Sequence, residues 1–152
     1  MKIIGYYIVA LFGFITLPAL SATLLIKSEV PAPLPPQYAL PSTSCIFDDQ
    51  GLLLTTHRLN GLFAKKSDIV SVSTDAVKKM IAEAATGSIK KPSAVIIGAA
   101  TVSYYAYQKL TDGSLKRIFL AETHGNSIDD TQTVNESAAA VALKNLIDVM
   151  CQ

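Results

Sequence analysis

Residues 94–123 read AVIIGAATVSYYAYQKLTDGSLKRIFLAET, and the fold turns on how this stretch is read. Two runs rich in β-branched and aromatic residues flank Thr111-Asp112-Gly113-Ser114. Val95, Ile96, Ile97, Val102, Tyr104, Tyr105 and Tyr107 stand in the first run, and Leu115–Thr123 makes the second. Such side chains suit a pleated, half-buried surface. Asp-Gly between apolar runs is a strong hairpin signal. A membrane helix is the competing reading, but Ala94–Tyr107 falls short of the roughly 20 residues a span needs, and Gly98, Thr101 and Ser103 interrupt it. A two-residue loop sets Tyr107 opposite Ile118 and Tyr105 opposite Leu120, which are favourable pairs. It also sets Lys109 opposite Lys116. A longer loop with a bulge relieves that repulsion, so the register stays open between the two.

Helical spacing appears on either side of this hairpin. Ala76, Val77, Met80, Ile81, Ala84 and Ala85 form one apolar stripe over 75–86, with Asp75, Lys78, Lys79 and Glu83 off it. Thr74 is placed to cap that helix, and Gly87 to end it in a left-handed conformation. Thr133 and Glu136 form a Thr-x-x-Glu capping box for a last helix over 134–150. Its stripe is Leu143, Leu146, Ile147 and Met150, and Ala138–Ala140 allow close approach to a sheet. Upstream, Cys45–Phe47 and Leu52–Thr56 flank Asp48-Asp49-Gln50-Gly51, which predicts an earlier hairpin. Asn60-Gly61 marks a further turn, Ile69–Ser73 a short strand, and 124–131 a polar loop.

The order hairpin, helix, long hairpin, helix predicts an α+β fold. In it an antiparallel sheet of two hairpins is packed on one face by two amphipathic helices. The layout resembles that of small bacterial envelope proteins such as outer-membrane assembly and transport-auxiliary lipoproteins, but the lipid-attachment cysteine of those proteins is missing.

The N-terminal segment sets the expected compartment. Residues 3–26 carry no charge and lie between Lys2 and Lys27. Ile3–Leu17 suits the apolar core of a signal peptide, and Ala19-Leu20-Ser21-Ala22 supplies a small-x-small cleavage site. Pro18 breaks the helix between them. Cleavage then falls after Ser21 or after Ala22. The expected organisation is a signal peptide over 1–22, a Pro-rich linker over 23–44 and a single α+β domain over 45–152. The alternative is an uncleaved anchor extending to about residue 26, which is long enough to span a bilayer. Either reading places the remainder across the membrane: in the periplasm, secreted, or held at the inner membrane facing the periplasm. Within the linker, Pro31, Pro33, Pro35, Pro36 and Pro41 favour an extended, semi-rigid spacer.

Charge is balanced overall, at a formal +1, but unevenly spread. From Lys65 to Arg117 there are nine basic and four acidic residues; from Ile118 onward there is one basic residue against five acidic. The basic middle and acidic end either face one another or leave a diffuse basic patch from Lys78, Lys79, Lys90, Lys91, Lys116 and Arg117 for an anionic partner. With no Trp and two His, nucleic-acid platforms and His-rich metal sites find little to build on.

Cys45 and Cys151 are the only cysteines. In an oxidising compartment they suggest a disulfide tying the ends of the domain together. The chain-entropy model gives about 4.7 kcal/mol for a loop of this size. His57 and His124 show no metal-ligand spacing. No G-x-S-x-G elbow, Ser-x-x-Lys pair or phosphate loop occurs. Asp48-Asp49 and Asp129-Asp130 read as turn residues, since neighbours on a chain do not face one substrate gap. Asn135-Glu136-Ser137 matches a glycosylation sequon at the start of a predicted helix. No catalytic, cofactor or metal residue is assigned. The expected function is a non-enzymatic envelope protein that binds another protein or envelope component and no nucleic acid, touching the membrane only through an uncleaved N-terminal segment. The alternatives are a periplasmic immunity or exclusion protein and a small exported hydrolase.

Overall fold

A computed structural model describes residues 21–92, 99–125 and 132–152. The apolar segment up to residue 20, the start of the apolar run at 93–98 and the expected loop at 126–131 lie outside them. The strands are β1 (Thr23–Val30), β2 (Ser42–Asp48), β3 (Leu52–Leu59), β4 (Leu62–Ile69), β5 (Ile89–Lys90), β6 (Thr101–Lys109), β7 (Leu115–His124) and β8 (Gln132–Asn135). The helices are α1 (Thr74–Ala84) and α2 (Ala138–Met150). The protein is α+β, and its sheet is antiparallel. Among the described residues it has eight strands in the order β4-β3-β2-β1-β6-β7-β8-β5, twice the four strands of the two predicted hairpins.

The largest departure is β1. Thr23–Val30 was expected as the start of a linker, or in part as the end of an anchor. It is instead an inner strand, hydrogen-bonded to β2 on one side and β6 on the other. Leu24 and Leu25 are buried, and a membrane segment running to residue 26 would remove both from the core. The sequence hides this strand because its apolar residues continue the uncharged run before it. The prolines then occupy only the connection from β1 to β2, where Pro36–Tyr38 makes one 3₁₀ turn.

Turn chemistry places the next strands. Asp48 Oδ1 accepts hydrogen bonds from the backbone of Gln50 and Leu52, and Gly51 takes the positive φ that closes the β2–β3 turn. Asn60 and Gly61 both have positive φ, the two-residue hairpin geometry whose twist matches its strands. That turn generates β4, an eight-residue strand whose sequence, Leu62-Phe63-Ala64 followed by Lys65-Lys66-Ser67-Asp68-Ile69, lacks apolar alternation.

The β6–β7 hairpin takes the longer loop. Tyr105 pairs with Phe119 and Tyr107 with Arg117, and a bulge lies between Tyr104 and Tyr105. Lys109 consequently faces Leu115, and Lys116 faces Gln108, so the two lysines are not opposed. Tyr105 and Phe119 meet edge to face, with centroids 5.9 Å apart.

One core cluster joins side chains of the strands and of both helices. Leu25, Cys45, Phe47, Leu53, Tyr104, Ala106 and Ile118 enter it from the strands. Val77, Ile81 and Ala84 enter from α1, and Ala139, Ala140, Leu143 and Ile147 from α2. Each large aliphatic so buried contributes roughly 1.5–3 kcal/mol. The helix starts differ from expectation. Ser73, not Thr74, caps α1 through Ala76 N–H, and Ser137 caps α2 through Ala140 N–H. Thr133 lies in β8, so the predicted capping box does not form.

Asn135 shows why. Its side chain is 3% exposed and its amide donates to the carbonyls of Ala84 and Phe119, while its Oδ1 accepts from Ser137 N–H. One buried amide thus joins the end of α1, the middle of β7 and the start of α2. It is not a surface sequon. Gly87 has no positive φ and does not form the left-handed cap. Glycine stands there because a Cβ would collide with Asn135 Oδ1 and Ser137 Cβ.

Two substitutions test this node. Asn135→Ala strands backbone groups in the interior and should cost about 2–3 kcal/mol. Gly87→Ala should cost about 1–3 kcal/mol by overpacking. Because the two side chains compete for one space, the double variant in urea unfolding should lose less than the sum of the singles.

Candidate functional site

The sites suggested by the sequence fall at three places. The first is the C-terminal half of α2. Cys45 of β2 and Cys151 after α2 form a disulfide, with Cα atoms 6.1 Å apart and 106 residues between them in sequence. The bond fits an oxidising compartment. Beside it, Asp148 Oδ1 accepts from Tyr104 Oη at 2.9 Å and from Lys27 Nζ at 3.0 Å, and Oδ2 accepts from Lys144 Nζ at 2.9 Å. Lys27 also pairs with Glu29 at 2.9 Å. Burial alone would raise the Asp148 carboxyl, but hydrogen bonds from Lys144, Lys27 and Tyr104 outweigh it and hold the group below the usual carboxylate range. Burial likewise opposes the Lys27 charge, and Glu29 and Asp148 together lift that ammonium above its ordinary value. Tyr104 is raised by burial and by its bond to Asp148. These bonds fasten α2 to β1 and β6.

The second place is the histidines. His57 is exposed, with Nδ1 3.1 Å from Thr43 Oγ1. His124 ends β7, where Nδ1 lies 3.1 Å from Thr101 Oγ1 and Nε2 lies 3.0 Å from Glu122 Oε1. Glu122 Oε2 accepts from Ser103 Oγ at 3.0 Å. Thr101, Ser103, Glu122 and His124 share one sheet face, because Thr101 pairs with His124 and Ser103 with Glu122. A hydroxyl, an imidazole and a carboxylate are therefore joined in a row. The i, i+2 spacing of Glu122 and His124 on a strand is the signal in the sequence, and it gains meaning only from the hydroxyls that β6 supplies across the pairing. Among the described residues no group of three or more His, Cys, Asp or Glu could hold a metal ion.

The third is the basic set, whose members lie on several elements. Lys78 lines a concavity of about 480 Å³ with Lys109, Leu24, Ile81, Tyr107 and Leu115. Lys79 is exposed on α1, and Lys90 and Lys91 lie at β5, the far edge of the sheet. Lys116 and Arg117 are neighbours on β7 and point to opposite faces; Arg117 lies over the Tyr105 ring at 4.8 Å. The described ion pairs Lys66–Asp68 and Lys78–Asp75 are local, so basic middle and acidic end are not joined through them.

A fourth feature was not foreseen. All eight residues of β4 are exposed, and among the described residues no strand pairs with its outer edge. Leu62 is 75% exposed, Phe63 61% and Ile69 85%. Leu59 of the same arm and Leu34, Tyr38 and Leu40 of the proline loop are exposed as well. The loop and the Leu59–Gly61 tip bound a second concavity of about 440 Å³. Arg58, Lys65 and Lys66 make this arm cationic, against Asp68 alone. An unpaired strand edge beside exposed apolar side chains is the combination that accepts another chain. The signal for it was Asn60-Gly61, which implied a second strand after the turn.

No helix among the described residues is long and apolar enough to cross a membrane. Compared with protein-family models, curated proteins and solved structures, the chain matches none.

The Asp148 cluster gives a pH dependence. A carboxyl whose folded pKa is lowered stabilises the fold above its unfolded value, near 3.9, and the contribution is lost as pH falls through the folded pKa. Raised Lys27 and Tyr104 stabilise below about pH 10, and their contributions fade above it. Asp148→Asn should lower stability by about 1–2 kcal/mol near pH 7, discounted for partial exposure. The gap between wild type and variant, followed by thermal melting, should close below about pH 4.

Proposed function

We propose that this chain is an exported, non-enzymatic protein that binds another protein by accepting an extended segment along β4. The observation that carries the reading is the bare β4 edge with exposed Leu62, Phe63 and Ile69. Main-chain hydrogen bonds along an added strand supply affinity, and side-chain pockets supply selectivity. Lys65 and Lys66 on the edge discourage indiscriminate pairing, the common protection of exposed strands. They also favour a partner segment with acidic side chains flanked by apolar ones. The finer packing belongs to the same reading. Both helices cover the face of Cys45 and Tyr104, and the opposite face carries Leu54, Ile46, Ile26, Tyr105 and Phe119 in cross-strand register, available to whatever docks at the edge. The uncharged apolar N-terminal segment supports export, and the disulfide agrees with it.

A photo-crosslinking residue at Ser67 tests the edge directly. In envelope fractions it should give one discrete adduct, absent when the same probe replaces Lys79 on α1. Lys65→Glu with Lys66→Glu should weaken the adduct about tenfold, the effect of roughly 1.4 kcal/mol, while the Cys45–Cys151 bond still forms. Adducts of equal strength from both probe positions would sink the proposal.

A second reading, a small exported hydrolase, draws on the Thr101–His124–Glu122 row. There Thr101 Oγ1–H is placed to donate to His124, and Glu122 to orient the imidazole, the roles of nucleophile, base and orienting carboxylate. Neither concavity described above is lined by these residues, so the binding reading is preferred. Hydrolysis of an activated ester that disappears in both Thr101→Ala and His124→Ala would reverse that preference.

A further inference from the structure

We propose that the exported chain is cut between Ser21 and Ala22, and that the α-ammonium group created on Ala22 forms an ion pair with Asp49. The inference rests on the export reading and goes beyond it by choosing the bond and assigning the residue that receives the new terminus.

The sequence left two positions open. A cut after Ser21 puts small residues, Ala19 and Ser21, at the third and first places before the bond. A cut after Ala22 puts Leu20 at the third place, where a small side chain is wanted. The fold separates the two choices independently. Ala22 N–H donates to Asp49 Oδ1 at 2.9 Å, and Asp49 N–H donates to Ala22 O at 2.9 Å. Thr23 pairs with Asp48, and Leu24 and Leu25 are in the core. Ala22 therefore extends the β1–β2 pairing by one reciprocal step, while Ser21 is exposed. Cutting after Ala22 discards that step. Cutting after Ser21 keeps it and improves it.

The chemistry is hydrolysis by an export-associated peptidase. Water adds across the Ser21–Ala22 amide, the C–N bond breaks, Ser21 leaves as a carboxylate and the Ala22 amine takes up a proton at neutral pH. The atom that was an amide donor to Asp49 becomes a cation at the same place. A charged donor to a carboxylate is roughly twice as strong as a neutral one. Asp49 also compensates the surroundings. Ala22 and Asp49 stand on the rim of the 480 Å³ concavity, whose other charged wall residues are Lys78 and Lys109. A new ammonium there meets two cations and one carboxylate, and the carboxylate is the nearest.

The full chain, exported from a bacterial host and recovered from the periplasmic fraction, is measured by intact mass and N-terminal sequencing. A start at Ala22 is expected. A start at Thr23 or any other internal residue overturns this inference and leaves export standing. A chain that keeps its leader overturns both this inference and the cleaved-signal reading. The ion pair is read separately, from acylation of the α-amine near pH 7. The wild type should react about two- to fivefold more slowly than Asp49→Asn, because pairing raises an amine that otherwise titrates near 7.7–8.0. Equal rates overturn the pair. Should the variant not fold, NMR titration of the wild-type α-amine decides: a value in the ordinary range overturns the pair, and a raised one supports it.

Discussion

Leu25 sits in register between Phe47 of β2 and Ala106 of β6, and none of the three is reached by solvent. The rest of the structure depends on that insertion. β1 is the strand through which β2, β3 and β4 are joined to β6, β7 and β8; without it the sheet falls into two pieces. The same strand brings Lys27 to Asp148 and places Ile26 between Ile46 and Tyr105 on the other face. A segment whose composition continues an uncharged apolar run is thus an inner strand of the sheet.

The attachments of the helices are unevenly distributed, and the unevenness bears on binding. α2 is tied by the Cys45–Cys151 bond and by Asp148 at one end and by Asn135 and Ser137 at the other. α1 shares the Asn135 node. Among the described residues β4 pairs with β3 on one edge alone and keeps all its side chains exposed. Regions with few buried contacts open at lower free energy than the core. The proposed docking edge is therefore also the part best able to adjust to a partner while the clamped half stays rigid.

Polar groups inside the domain serve cohesion. Asp48 closes a turn, Asn135 joins three elements, and Asp148 collects two lysines and a tyrosine. Among the described residues no buried side-chain nitrogen or oxygen lacks a partner. The Thr101–His124–Glu122 row differs in lying on the face opposite Tyr104, among residues that are only partly covered. Its hydroxyl, imidazole and carboxylate groups are partly accessible to solvent.

Much was determined by local chemistry alone. Asp-Gly at 112–113 and Asn-Gly at 60–61 dictate hairpin turns, the stripes at Val77–Ile81–Ala84 and Leu143–Ile147 dictate amphipathic helices, and a chain with two cysteines leaves each a single intramolecular partner. These follow from spacings of a few residues, or from having only one possible partner. Other features depended on groups distant in sequence. β1 is invisible beside a longer apolar run, because a strand buried on one face and a signal segment share the same composition. Asn135 and Gly87 explain each other only when α1, β7 and α2 meet. The basic residues look like a patch in sequence, yet alternation along β7 sends Lys116 and Arg117 to opposite faces and the sheet order carries Lys90 to its far edge. The bare edge of β4 could be known only from the strand order. Whether a strand has one neighbour or two is decided by the whole sheet, and no local pattern records it.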